Sequence, residues 1–204
     1  VLMSGPQAQE AFLKTLDLKL SRAAAYQATV PVFGRGVIFD APPDNMKTQL
    51  KIQVDALRYQ NMVHYSTIIS QEVEDWIAGW GDEGVLDFLD EFLRLTLNTA
   101  THCLLGADFR YKLTDEFREL YHALEKGLQA IAFVDPYLQQ PIFAARDKAR
   151  ERLQEIIGGI IAERRATSGV EYGDALETFM AGTYADGSYL DDNEITGLVI
   201  ATAF

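Results

Sequence analysis

The amino-acid sequence predicts a mainly α-helical fold, and three observations carry that prediction. Apolar residues recur every three to four positions along most of the chain, as in Met46, Leu50 and Val54 or Leu153, Ile156 and Ile160. Residues that start or stop helices bound those stretches, among them Pro43, Gly106, Gly127 and Pro141. One short segment, Tyr184 to Tyr189, reads as a β-hairpin, because an Asp186-Gly187 turn lies between aromatic residues. The 204 residues, 48% hydrophobic and 24% charged, suffice for one sizeable core.

In chain order, Ser4 is expected to cap a first helix, with Pro6 in its opening turn and Gln7 three residues on, running to about Lys14. Residues 17 to 26 predict a further short turn of helix, on which Arg22 and Tyr26, four apart, share a face. Tyr26 to Asp40 predicts an irregular loop. Asp44 then opens a helix with Met46, Leu50, Val54 and Leu57 inward, while composition alone assigns Lys47 and Lys51 to its solvated face. Asn61 to Trp80 predicts a helix buried through Val63, Ile68, Ile69, Val73, Trp76 and Ile77. Leu86 to Leu105 predicts another, closed by Gly106 and so dense in Leu and Phe that burial on more than one side is expected.

Asp115 is expected to cap a helix through Phe117, Leu120, Tyr121 and Leu124, which Gly127 stops. Ala130 to Leu138 is an apolar connection, the kind that covers a hydrophobic site. Pro141 to about Arg165 predicts a long helix with Ile142, Ala145, Ala149, Leu153, Ile156 and Ile160 inward and Arg146, Lys148, Arg150 and Arg152 on a solvated face. A linker from Thr167 to Gly173 and a short helix from Asp174 to Ala181 follow. Asp191 and Glu194 then form a capping box for a final apolar helix.

The formal charge of -12 argues against nucleic acid or an anionic membrane as partner, since an acidic surface repels phosphate. No run of eighteen apolar residues exists, and the start, Val-Leu-Met-Ser, has no signal-type segment. One cysteine excludes an intrachain disulfide framework and suits a reducing compartment. Both ends read as cut, because Ile195 to Phe204 is an apolar helical segment without a stop signal.

Few side chains form a reactive set. Glu119 and His122, at i and i+3 on a helix, match half of a di-iron carboxylate site, which needs the motif twice; His122 therefore reads as a surface or core-edge residue. His64 and His102 have no ligand partners at useful spacing and read as structural. There is no Ser-His-Asp set, no zinc spacing and no P-loop. On these grounds alone the chain is an α-rich domain, with a helical module binding an apolar ligand as one reading of its function.

The most informative stretch is Tyr26-Gln-Ala-Thr-Val-Pro-Val-Phe-Gly-Arg-Gly-Val-Ile-Phe-Asp40. Pro31 fixes φ, and Gly34 and Gly36 let the backbone approach something large and flat. Gly34-Arg-Gly36 lacks the third glycine and the βαβ setting of a dinucleotide site. Val32, Phe33, Val37, Ile38 and Phe39 call for burial. The stretch closely resembles the loop between helices B and C of sterol 14α-demethylases, members of the cytochrome P-450 superfamily. Cys103-Leu-Leu-Gly-Ala-Asp-Phe109, Leu120-Tyr-His-Ala-Leu-Glu125, Val134-Asp-Pro-Tyr-Leu138 and Asn193-Glu-Ile-Thr-Gly197 resemble the same family in collinear order.

That resemblance implies a mainly α cytochrome P-450 fold with a small β portion, residues 1–204 forming part of one haem-thiolate monooxygenase domain truncated at both ends. It implies that the chain continues with Ala-Gly and, soon after, a Thr. It implies a haem cofactor (heme b), a sterol substrate losing its 14α-methyl by successive oxygenations, and electrons from a ferredoxin or flavoprotein reductase. Azole-type inhibitors are expected ligands. Tyr26 and Lys47, with Arg22 as a further candidate, are expected to bond the haem propionates. Tyr26, Ala28, Thr29, Phe33, Met46, Gln49, Leu50, Ala201 and Phe204 are expected to contact sterol. Ala28 stands where the family carries Phe or a branched aliphatic residue, which implies room for a C4-dimethylated sterol such as lanosterol.

The axial cysteine is expected beyond Phe204. The family's thiolate loop, Phe-x-x-Gly-x-x-x-Cys-x-Gly, is absent around Cys103, which lies in an apolar helical pattern and reads as a buried small hydrophobe. The segment between Tyr26 and Pro31 is one residue shorter than in the animal enzymes, which implies a bacterial, cytoplasmic member; a membrane anchor before Val1 is the alternative.

Overall fold

A computed structural model describes residues 3–15, 23–112, 115–167 and 169–203. Eleven α-helices occupy those residues: α1 (Pro6–Lys14), α2 (Ala23–Tyr26), α3 (Val30–Phe33), α4 (Pro43–Ala56), α5 (Tyr59–Ala78), α6 (Phe88–Leu105), α7 (Ala107–Lys112), α8 (Asp115–Lys126), α9 (Pro141–Ala166), α10 (Ala175–Met180) and α11 (Asp192–Ala203). Among the described residues the expected β portion is a single antiparallel bridge, Thr183 to Tyr189, closed by Gly187 at φ 84°. The hairpin reading at Asp186-Gly187 therefore holds.

Helix α11 is the axis of the core. Ile195 to Ile200 are all buried, and α3, α4, α6, α9 and α10 pack around it. A helix that is apolar on every side needs such an enclosure. Its start is the capping box expected from sequence: Glu194 N–H donates to Asp191 Oδ1 at 2.7 Å, and Asp191 N–H donates to Glu194 Oε2 at 2.8 Å. Ile195, Leu198 and Ile200 join Leu153, Ile157 and Ile161 of α9 and Leu104 and Leu105 of α6 in one cluster.

Several sequence expectations give way to tertiary context. Gly5, at φ 93°, takes the cap position of α1 in place of Ser4. The inward face of α4 is Met46, Gln49, Ile52 and Ala56, whereas Val54 and Leu57 are exposed, because Gln49 finds buried polar partners and turns the helix by one residue. In α5 the buried residues are Tyr65 and Glu72; Val63, Ile69 and Ile77 face out. Glu72 can be buried because Arg110 Nη2 and His102 Nδ1 lie 2.9 Å from its oxygens.

The two-sided burial expected of α6 holds only at its C-terminal end, where Thr101 and Cys103 to Leu105 are buried; Phe88, Leu89, Phe92 and Leu93 are exposed. Helix α9 departs most. Its buried line is Phe143, Arg146, Ala149, Arg150, Leu153, Ile157, Ile161 and Arg164, so Arg146 and Arg150 leave the solvated face while Lys148 and Arg152 keep it. Arg146 Nη2 donates to Pro136 O, and its guanidinium lies over the Phe143 ring. Arg164 pairs with Asp174 Oδ2 at 2.6 Å and caps the Leu105 carbonyl at 2.8 Å.

Candidate functional site

The stretch from Tyr26 to Asp40 is built of short helical turns where sequence predicts an irregular loop. A 3₁₀ turn covers Gln27–Thr29, α3 follows, and another 3₁₀ turn covers Ile38–Asp40. Between them, residues 34 to 37 run along α11 with their backbone polar groups held by side chains from three helices. Arg150 Nη2 donates to Phe33 O at 3.0 Å, Asn193 Nδ2 donates to Arg35 O at 2.9 Å, and Gln49 Nε2 donates to Gly36 O at 2.9 Å. Gly36 N–H reaches Asp40 Oδ2 at 2.7 Å, and Ile38 N–H reaches Gln49 Oε1 at 2.6 Å. Buried backbone polar groups need such partners, which explains three polar side chains at an otherwise apolar contact.

The path is tight and strained. Gly34 has φ 109°, and a Cβ there would lie 2.7 Å from both Arg150 Nη2 and Asn193 Oδ1. Ile38 has φ 45°, a left-handed conformation that costs a β-branched residue about 1–3 kcal/mol. Burial pulls the Arg150 guanidinium down to about 10, with the Tyr121 hydroxyl opposing that effect. It stays charged at neutral pH and serves as donor to backbone oxygen.

Gln49 is completely buried, and its amide also bonds beyond the loop. Tyr184 Oη lies 2.8 Å from Gln49 Nε2 and donates to Glu194 Oε1 at 2.6 Å. Burial, then the neighbouring Glu194, raises the Tyr184 phenol above its ordinary value. One amide thus ties α4, the hairpin, α11 and the loop together.

The site residues expected from sequence divide into groups. Tyr26 stacks on Phe39 with ring centroids 3.8 Å apart and planes 19° apart, and its hydroxyl bonds no described residue. Lys47 is 70% exposed at its side chain, with Asp44 Oδ1 3.5 Å away. Phe33, Met46, Leu50 and Ala201 belong to the main apolar cluster together with Val37 and Ile38. Ala28 does not join them: it is fully buried in a separate small cluster with Ala132 and Phe143, so the space expected beside it is filled. Thr29 Oγ1 donates to Tyr26 O at 2.7 Å. Arg22 and Phe204 lie outside the described residues.

Sequence reasoning missed Arg150, Asn193 and Tyr184. The signal for Arg150 is a basic residue one turn before Leu153 on the buried line of α9; Asn193 is visible only as a residue inside the capping box. Cys103 is buried in α6, and burial followed by the Glu72 charge pushes its thiol up to about 11. Its burial beside Leu104 and Leu105 in α6 accords with its reading as a small hydrophobe.

Comparison with known proteins places the chain. The family model for cytochrome P-450 matches residues 1–204. The chain belongs to the cytochrome P-450 family. It is 38% identical over 200 residues to a sterol 14-demethylase of Arabidopsis thaliana, covering 98% of this chain and 41% of that protein. It is 38% identical over 207 residues to a sterol 14alpha-demethylase of Mycolicibacterium vanbaalenii, covering 100% and 45%. A lanosterol 14-alpha demethylase of Bos taurus is 33% identical over 173 residues. The chain spans less than half the length of these relatives. Among solved structures, a retinoic acid-bound cyanobacterial CYP120A1 matches 87% of this chain with a TM-score of 0.73 at 18% identity, a likeness of fold. Among the described residues no helix is long and apolar enough to cross a membrane.

Proposed function

We propose that the complete protein is a haem-thiolate monooxygenase that removes the 14α-methyl group of a lanosterol-like sterol by successive oxygenations. The observation that carries this reading is the Tyr26–Asp40 segment, whose Tyr26, Gly34 and Gly36 match the resembled loop and whose backbone is held against α11. The names of the similar proteins support the substrate class. When bound, a thiolate-ligated haem supplies the activation of dioxygen; electrons come from a ferredoxin or flavoprotein reductase.

The residues present fit such a cofactor. Among the described residues the Tyr26 hydroxyl is unengaged and Lys47 has a long contact, 3.5 Å, to an exposed Asp44, which leaves both donors a place for a carboxylate in this reading. Their helices, α2 and α4, both pack against the same 3₁₀ turn, Ile38–Asp40. In this reading Tyr26 and Lys47, with Arg22, hold the haem propionates through charge-assisted hydrogen bonds. Phe33, Met46, Leu50 and Ala201 present apolar surface to sterol and exclude water, and Phe204, outside the described residues, is a further candidate sterol contact. Thr29 and Ala28 shape the segment beside it, and Gln49 acts through the backbone of the loop. The axial cysteine belongs to the part of the protein beyond this chain.

The test is the absorption spectrum of the intact protein, titrated first with lanosterol and then with an azole. A haem band that shifts with both supports the reading. A protein that purifies without haem yet still takes up lanosterol would overturn it in favour of a non-catalytic helical module for an apolar ligand.

A further inference from the structure

We infer that Gln49 is a positioning residue whose amide sets the conformation of the 36–38 corner and, through it, the seat of Phe39 and Tyr26. The inference rests on the functional reading above only for what the loop faces.

Its first support is stereochemical. Ile38 adopts φ 45°, which a β-branched residue holds only when its surroundings impose it. Gln49 imposes it from both sides: Oε1 accepts the Ile38 N–H at 2.6 Å while Nε2 donates to Gly36 O at 2.9 Å. A side-chain amide can accept and donate across a single turn without changing its protonation state. The second support is orientation. Tyr184 Oη at 2.8 Å and Glu194 Oε1 at 3.4 Å both face Nε2, so the amide cannot flip without placing its oxygen against Glu194. Tyr184 donates its own proton to Glu194, whose other oxygen is held by the Asp191 N–H of the capping box.

The consequence runs along the chain. Ile38 opens the turn that carries Phe39, and Phe39 is the surface on which Tyr26 stacks at 3.8 Å. Asp40, which closes the same turn, holds the Gly36 N–H. Releasing Gln49 frees Ile38 to relax to negative φ, which rotates Phe39 and with it the support under Tyr26. Arg150 and Asn193 still hold Phe33 O and Arg35 O, so the change is confined to the corner.

The experiment compares wild type, Gln49→Leu and Gln49→Glu in the intact haem-loaded protein. Hydrogen exchange is read at the Ile38 amide and at the Gly34 amide, which bonds Val30 O and is independent of Gln49. Gln49→Leu should lower Ile38 protection about tenfold at every pH, the effect of losing about one net hydrogen bond, with Gly34 unchanged. Gln49→Glu should behave like wild type at pH about 5, where a protonated carboxyl can accept from Ile38 N–H and donate to Gly36 O; at pH about 8 the carboxylate keeps an acceptor for Ile38 N–H but has no proton for Gly36 O and faces Glu194, so Ile38 protection should fall, by less than in Gln49→Leu. Lanosterol dissociation constants, read from the haem absorbance, should rise in step with exchange. Unchanged Ile38 protection in both variants overturns the inference. Raised exchange with unchanged lanosterol affinity also overturns it, reducing Gln49 to a structural group. If wild type itself binds no lanosterol, the sterol reading fails, while the pH-dependent exchange still decides the role of Gln49.

Discussion

Replacing Gly197 by Ala puts a methyl group into the tightest contact between α11 and the loop. A Cβ there would overlap Phe33 O and lie 2.6 and 2.8 Å from the two Val37 methyl groups. Carbon atoms settle at about 3.5–4.0 Å, so the overlap cannot be absorbed by a rotamer change when one partner is backbone. The loop must withdraw, and the Arg150 bond to Phe33 O at 3.0 Å stretches with it. Helix propensity favours Ala by about 0.8–1.0 kcal/mol. Overpacking costs about 1–3 kcal/mol, and loss of a hydrogen bond from a charged group about 1.5–3 kcal/mol. The net expectation is a loss of about 2–5 kcal/mol. Gly159→Ala is the matched control, because nothing lies within 4 Å of a Cβ at that position of α9. It should gain about 0.5–1 kcal/mol from propensity alone. Urea unfolding of the two variants beside wild type measures both changes. A Gly197→Ala protein as stable as Gly159→Ala would refute the close packing of the loop on α11.

Other perturbations test the surroundings. Arg164→Met leaves the Asp174 carboxylate buried without its partner and should cost about 3–5 kcal/mol in the same unfolding assay. Ala28→Phe should destabilise by about 1–3 kcal/mol through overpacking against Ala132 and Phe143; a change in sterol preference at full stability would contradict that packing. For Cys103, burial holds the folded thiol near 11, above its unfolded value, so its contribution is complete at pH 8 and is lost as pH rises through about 11. The stability difference between wild type and Cys103→Ala should therefore shrink from pH about 8 to about 11, and a constant difference would contradict the burial of the thiol.

Helices and their ends were legible wherever local chemistry decides them. Pro6, Pro43, Gly106, Gly127, the Asp191–Glu194 box and the Asp186-Gly187 turn all act within a few residues of themselves, and all are found in place. Burial faces were less legible, since periodicity cannot distinguish an arginine that finds carbonyls from one that finds water. Arg146, Arg150 and Gln49 are buried because their partners, Pro136, Phe33 and Ile38, lie on other elements. The exposed leucines and phenylalanines at the start of α6 carry the opposite lesson: a dense apolar pattern states what a surface wants, and the neighbours decide whether it is covered. At the site, the resemblance located the loop, while two of the side chains that fix its backbone, Arg150 and Asn193, came from positions more than a hundred residues away in sequence.

The central claim is that this loop and α4 hold a haem through Tyr26 and Lys47, and the rate of haem loss from the intact protein to an excess acceptor tests it most directly. Tyr26→Phe and Lys47→Ala should each release haem faster than wild type by about tenfold or more, as expected for a charge-assisted hydrogen bond worth about 1.5–3 kcal/mol. Lys51→Ala, one turn further along α4, should release it at the wild-type rate. Equal rates for all three variants would contradict the account and return Lys47 to the solvated face of its helix.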